Sequence, residues 1–196
     1  MQKPHTFIFI GRSGAGKGTQ IELLINKLKS LGPQSVLHVE PGNAFRAFVS
    51  GTSLSATTAK KIALEGELQP SFLTVWIWSD ILIKNVTGNE HLLFDGMPRR
   101  MSEAKILESA LKFYGVEKPK VINIHVGDNW AIDKLTKRGR ADDNEESIKR
   151  RMKWYEKDVE DTVEYMKHNT FYDFISINGE QTIEEVHKEI CEKVGL

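Results

Sequence analysis

The stretch TFIFIGRSGAGKGTQIELLI, residues 6–25, decides how this chain is read. Phe7 to Ile10 form an apolar run, the pattern of a strand buried on both faces. Ile21 to Ile25 carry helical spacing. Between them stand Gly11, Gly14, Gly16 and Gly18, with Lys17 among them. The order is strand, glycine loop, helix. Glycines let successive backbone N–H groups turn toward one point, and the helix N-terminus adds a positive dipole end there. Lys17 adds a mobile positive charge. Such a loop is a cradle for phosphate, and a nucleoside triphosphate is the guest it suits.

The general pattern for such a loop is G-x-x-x-x-G-K-[ST]. Gly11 to Lys17 fits it. Gly18 occupies the expected Ser/Thr place, and Thr19 follows one position later. Glycine-rich turns also occur after strands without phosphate. Four glycines, a lysine and the strand–helix setting together weigh against that alternative.

Length and composition set outer bounds. The 196 residues suit one domain, with small insertions at most. Lys and Arg number 27, as do Asp and Glu, so the net charge is zero. A neutral chain lacks the general electrostatic grip that nucleic-acid polymers or anionic membranes require. Anion recognition must therefore be local. One cysteine, Cys191, excludes an internal disulfide and suits a reducing cytoplasm. No apolar run reaches the length of a membrane span, and the N-terminus lacks a signal-peptide pattern.

Strand-like and helix-like segments alternate along the chain. Strands are expected at 6–10, 35–39, 91–94, 120–126 and 174–177. Helices are expected at 21–31, 42–51, 57–65, 70–86, 102–114, 129–138, 143–168 and 182–194. Gly32-Pro33 stops the first helix, and Ser102 is a candidate cap for the fifth. Five strands alternating with helices indicate an α/β fold, a parallel sheet covered on both faces. Ligands of such sheets bind at the carboxyl ends of the strands, where the glycine loop lies. Trp76 and Trp78, two apart in a helix, must face different ways. One belongs in the core, and the other meets a neighbouring element or a partner.

A second motif is LLFDGMPRR, residues 92–100, leaving a buried strand. Asp95 at that strand end can hold magnesium through water, and Arg99 can clamp a phosphate with its fork of donors. A third is RGRADDNEESIKRR, residues 138–151. Glu145/Lys149 and Glu146/Arg150 have the spacing of helix-surface pairs, so Arg150 reads as structural. Arginine clusters are often just solvated surface, and Arg100 is as readily explained that way.

Taken together, these three segments resemble the adenylate kinase family of nucleoside monophosphate kinases. GRSGAGKGTQ is similar to the family's G-x-x-G-x-G-K-G-T-Q, which accounts for the displaced threonine. FDGMPRR resembles its D-G-[FY]-P-R, and RGRADD with Arg151 resembles its lid edge and following helix. The resemblance runs from Thr6 to the C-terminus. It implies a P-loop kinase core with a five-stranded parallel sheet, a small helical monophosphate-binding insert at 42–70 and a vestigial lid at 138–141.

The resemblance also implies roles. Lys17, Thr19 and the amides of Gly14, Ala15, Gly16 and Gly18 would hold ATP. Lys134 would pack on its adenine and Gly179 would offer a backbone contact. Arg46 and Arg99 would grip the monophosphate, near Pro41, Gly42, Gly96 and Glu103. Arg138, Arg140 and Arg151 would meet the transferring phosphoryl group, and Asp95 would support Mg2+. Phosphoryl transfer needs in-line positioning and charge neutralisation, for which such a set suffices. The implied reaction is ATP + AMP = 2 ADP. The alternatives are transfer to GMP, CMP or UMP, a kinase for a non-nucleotide acceptor such as shikimate, and a catalytically weak nucleotide-binding protein.

Three departures stand out. Only Gly139 separates Arg138 from Arg140, so the flap that would exclude water is almost absent. Either the enzyme leaks ATP hydrolysis, or a neighbouring subunit of a homo-oligomer covers the site. Pro41 and Glu103 stand where adenylate kinases carry threonine and glutamine. A carboxylate only accepts hydrogen bonds, so Glu103 would suit guanine N1–H and N2–H2, or the cytosine amino group. The bland alternative places it in solvent, in a helix first turn. Asn43 stands where the family has aspartate, with no evident consequence. His38, beside Glu40, reads as a local hydrogen-bonding residue.

Overall fold

The structure is a computed structural model that describes residues 3–139 and 144–196. Five strands form one parallel sheet: β1 (Thr6–Ile10), β2 (Val36–Val39), β3 (His91–Asp95), β4 (Lys120–His125) and β5 (Asp173–Asn178). Their order is β2-β3-β1-β4-β5, all parallel. β1 is the central strand, and Phe7, Ile8 and Phe9 have no exposed surface. Each such burial is worth about 1.5–3 kcal/mol, which is why an unbroken apolar run marks this position.

Helices cover both faces. One core layer joins Phe7 and Phe9 to Ile21, Leu24 and Leu28 of α1 (Lys17–Leu31) and to Ile190 of α9 (Ile183–Val194). The other joins Ile8 and Ile10 to Trp78 and Leu82 of α4 (Ser71–Asn85) and to Leu107 of α5 (Met101–Phe113). Two short helices, α2 (Pro41–Phe48) and α3 (Leu54–Leu64), precede α4 as an insert. Its own small core gathers Ala59, Leu73 and Ile77 with Phe45 and Phe48. Trp78 is the core tryptophan. Trp76 is half exposed and meets Phe48 edge-on, with ring centroids 5.5 Å apart. Thr182 and Glu185 close a reciprocal cap on α9.

Three expected boundaries are corrected. α1 begins at Lys17, four residues before its apolar spacing starts, because the loop turns straight into helix. Ser102 does not cap α5. Arg100 occupies that position without a side-chain cap, and the Ser102 hydroxyl lies 3.2 Å from that of Ser71. The single helix expected over 143–168 is broken. α7 (Glu145–Trp154) passes into a π turn at Tyr155–Val159, and α8 (Glu160–His168) follows. α6 (Asp128–Arg138) ends at Gly139.

Candidate active site

The glycine loop is pressed against its neighbours. Gly11 has φ 137°, and a Cβ there would sit 2.4 Å from the Ile124 carbonyl oxygen of β4. Gly14 has φ 87°, and its Cβ would sit 2.6 Å from the Ala131 carbonyl oxygen of α6. Only glycine fits these two places. At Gly16 and Gly18 an added Cβ would meet nothing within 4 Å, so the loop opens into space on that side. Thr19 lies exposed on the first turn of α1. The Ala15 N–H is turned inward and donates to the Arg12 carbonyl at 3.2 Å. Ala15 is therefore spent on the loop's own turn, against the expectation that its amide faces phosphate.

Lys17 folds back over the loop, its Nζ donating to the carbonyls of Gly11 at 2.7 Å and Arg12 at 2.9 Å. Burial pushes its pKa down to about 8; Asp95 counters, while Arg99 and Arg138 add to the fall.

The second motif ends beside it. Strand pairing sets Asp95 opposite Phe9, and the Gly96 N–H donates to the Phe9 carbonyl at 3.0 Å. A Cβ at Gly96 would stand 3.5 Å from Arg99 Nη2 and 3.7 Å from Lys17 Cε. Lys17 and Arg99 thus flank this glycine. Arg99 Nε donates to the Gly96 carbonyl at 2.9 Å, and its guanidinium lies over the Trp154 indole, 5.3 Å from the centroid. Burial holds the Arg99 pKa below the usual arginine range; Glu103 and Asp95 counter, and Arg151 adds to the fall. A small cleft lies between these groups, lined by Ser13, Lys17, Gly96, Arg99, Trp154 and Tyr155.

Lys17 is therefore within electrostatic reach of Asp95, Arg99 and Arg138, and Arg99 within reach of Asp95 and Arg151. Other assigned residues stand elsewhere. Arg46 is held by Glu40 at 3.2 Å and by Asn43, at the entrance of its own helix beside Pro41 and Gly42. Asn43 also donates to Glu40, so it bridges the pair. The consequence that the sequence left open is this local clasp. Lys134 lies over the ring of Trp130 on its own helix, 4.7 Å from the centroid. Gly179 is packed so tightly that a Cβ would come within 2.6 Å of Val126 Cγ1 and 2.7 Å of Ile124 Cγ2. Its N–H donates to the His125 carbonyl at 2.8 Å. Arg140 and Ala141, half of the lid segment 138–141, lie outside the described residues.

Two readings are corrected. Glu103 does not face solvent: it is 2% exposed, and its Oε2 accepts the backbone N–H of Arg99 at 2.9 Å. His38 Nε2 faces Asp95 Oδ2 at 3.9 Å, because both lie near the ends of adjacent strands β2 and β3.

Sequence reasoning missed Arg12, Trp154 and Tyr155. Arg12 is 8% exposed. It pairs with Asp128, approaches Glu160 at 3.9 Å and lies 4.8 Å from the Tyr155 ring centroid. Trp154 and Tyr155, at the junction of α7 and the π turn, thus carry one arginine each. The only available signal was two adjacent aromatic residues in an otherwise charged helix.

A sequence model of the family described as adenylate kinase matches residues 9–171. The chain belongs to the adenylate kinase family. Curated members of similar sequence include the adenylate kinase of Corynebacterium diphtheriae, 32% identical over 188 residues covering 96% of this chain and 98% of that one. Adenylate kinase 1 of Nostoc sp. is 30% identical, covering 96% and 97%. The adenylate kinase of Bacteroides fragilis is 31% identical, covering 95% and 96%. Such relatives are about as long as this chain. Family membership makes the chain a phosphotransferase, and the cleft around Gly96 is where its charged groups converge. Among the described residues no helix is long and apolar enough to cross a membrane.

Proposed function

We propose that this phosphotransferase carries the γ-phosphoryl group of MgATP to a nucleoside monophosphate, AMP foremost. The observation that carries the reading is the placement of Lys17 and Arg99 on either side of Gly96. Lys17 comes from the glycine loop and Arg99 from the end of β3. Two cations from different motifs facing one cleft suit two phosphorylated molecules meeting tail to tail.

In this mechanism the loop and Lys17 take the donor's outer phosphates. Lys17 leaves the carbonyls of Gly11 and Arg12 to do so. Arg99 takes the acceptor phosphate, its Nε–H already fixed on Gly96. Arg138, Arg140 and Arg151 spread positive charge over the transferring group. No protein nucleophile is needed, since positioning and electrostatic stabilisation supply the catalysis. Asp95, a single carboxylate at the strand end, fits a Mg2+ ion held through water and substrate phosphates. A Mg2+ held there would supply charge neutralisation to the polyphosphate. The insert at 42–70 would receive the monophosphate, with Arg46 released from its clasp, and Lys134 and Gly179 would meet the donor base.

A second reading concerns the acceptor base. Glu103 is buried beside Arg99, and Oε2 holds the Arg99 N–H. An acceptor-only group there favours a base edge that donates, as in GMP or CMP. A coupled assay with AMP, GMP, CMP, UMP and dTMP decides between them. Turnover with AMP above all others upholds the main reading. Binding of ATP with no turnover of any acceptor removes it.

A further inference from the structure

Trp154 is 9% exposed and makes two contacts that belong to different parts of the molecule. Its ring face carries the Arg99 guanidinium. Its Nε1–H donates to the Gly66 carbonyl at 3.1 Å. Gly66 closes the insert just after α3, and with φ 73° it turns the chain back toward the core. A Cβ there would stand 3.3 Å from Ser147 Cα, so α7 packs directly on this turn. Two other core side chains take carbonyls of the same returning limb, Arg150 that of Glu65 and Arg100 that of Gln69. Of the three, Trp154 alone also touches a side chain of the cleft.

The chemistry of the contact matters. A carboxylate would orient Arg99 but would also neutralise it and occupy its fork. An indole face holds a guanidinium through the ring quadrupole and leaves its charge intact. With Nε–H on Gly96 and one face on the indole, the terminal amino groups are the donors that an incoming phosphate would meet.

We propose that Trp154 is a positioning residue for the acceptor site: it orients Arg99 for the monophosphate and ties that orientation to the foot of the insert at Gly66. This rests on the reading that Arg99 grips the acceptor phosphate. Loss of the ring face should raise the KM for the acceptor about tenfold, the scale of a desolvated cation–π contact, with the donor site untouched.

The test compares Trp154→Leu, Trp154→Phe and Arg99→Lys in steady-state assays with AMP and ATP varied separately. Trp154→Leu is expected to raise the KM for AMP about tenfold and leave that for ATP within about twofold. Trp154→Phe, which restores a ring face, should return the KM for AMP to within about threefold of the parent. Tryptophan emission of the parent should change as AMP is added, and that change should be smaller in Trp154→Phe. A purely structural role would raise both KM values in parallel in Trp154→Leu, and that result overturns the proposal. If Arg99→Lys raises the KM for AMP while Trp154→Leu does not, the proposal fails alone. If Arg99→Lys also has no effect, the acceptor-site reading fails and takes the proposal with it.

Discussion

Glu103 Oε2 accepts the backbone N–H of Arg99 at 2.9 Å, so this buried carboxylate fixes the backbone that bears the arginine of the cleft. The proposed base-reading role would fall on the same carboxylate, and substitutions separate the two. Glu103→Gln keeps an oxygen for the Arg99 N–H, and its cost to stability should stay below about 1 kcal/mol. Glu103→Leu leaves a buried donor unsatisfied and should cost about 1–3 kcal/mol in denaturant titration, with a raised acceptor KM. If Glu103 also reads the base, Glu103→Gln shifts preference toward AMP across the acceptor panel. An unchanged ranking would confine Glu103 to its backbone role.

The donor-phosphate role proposed for Lys17 predicts that donor binding depends on pH. In the free protein its pKa lies at about 8. Polyphosphate at the same place raises it, because an anion favours the charged form. Affinity for ATP is therefore full below about pH 8. Above it, affinity falls up to tenfold per pH unit, until the pKa of the complex is reached. Isothermal titration between pH 7 and 10 should show this fall, with proton uptake on binding. Lys17→Met should abolish the pH dependence and weaken binding at pH 7. A flat profile in the parent protein would contradict the assignment of Lys17 to the donor phosphates.

The order of strands and helices was legible because it rests on burial. A central parallel strand such as Phe7–Ile10 must be apolar throughout, and a glycine loop against β4 and α6 must be glycine where carbonyls crowd it. The π turn was not legible. The residues of Tyr155–Val159 would sit as comfortably in an α-helix, and nothing in their identity signals the extra residue per turn. Arg12 was hidden in a position that the motif leaves open. The backbone role of Glu103 was not legible because its partner is a backbone N–H before the helix, and Arg100, not Ser or Thr, stands at the cap where the usual signal would appear. Arg46 shows a limit of a different kind, since its clasp with Glu40 and Asn43 depends on the neighbours that a motif does not specify.

At the opposite end of the sheet, His91 predicts an acid-sensitive fold. Its Nδ1 accepts the backbone N–H of His5 at 2.9 Å, and the two rings stack at 5.4 Å with 8° between planes. Burial lowers both pKa values, with Lys120 adding at His5 and His5 adding at His91. The folded state therefore favours the neutral forms, while the unfolded chain takes up protons near pH 6.5. The contribution is full above about pH 6.5 and is lost as pH falls through the lowered pKa values. Thermal unfolding should show a plateau between about pH 7 and 8 and a drop on the order of 5 °C by pH 5. His91→Gln supplies an oxygen for the His5 N–H without titrating, so its acid-side drop should be shallower. An identical pH profile would exclude the pair as its source.

The last expectation concerns Arg12, which joins the glycine loop to two other elements. Its charge meets Asp128 at the start of α6, and its face lies on Tyr155 at the start of the π turn. Asp128 is about half exposed, with 47% of its side chain accessible, so solvent screens that pair and Asp128→Asn should cost less than about 1 kcal/mol. The stacked face is better protected, since Arg12 and Tyr155 are 8% and 6% exposed. Arg12→Lys keeps the charge but loses the planar contact, and should cost about 1–2 kcal/mol. The Arg12 carbonyl is also one of the two that hold Lys17. A loosened loop therefore reaches the donor site, and Arg12→Lys should raise the KM for ATP more than that for AMP. Tyr155→Leu, which removes the same contact from the other side, should reproduce both effects. The double variant should lose little more than either single one, because one contact cannot be removed twice. Full additivity in denaturation and in KM would mean that the two residues act separately and that the stack contributes nothing.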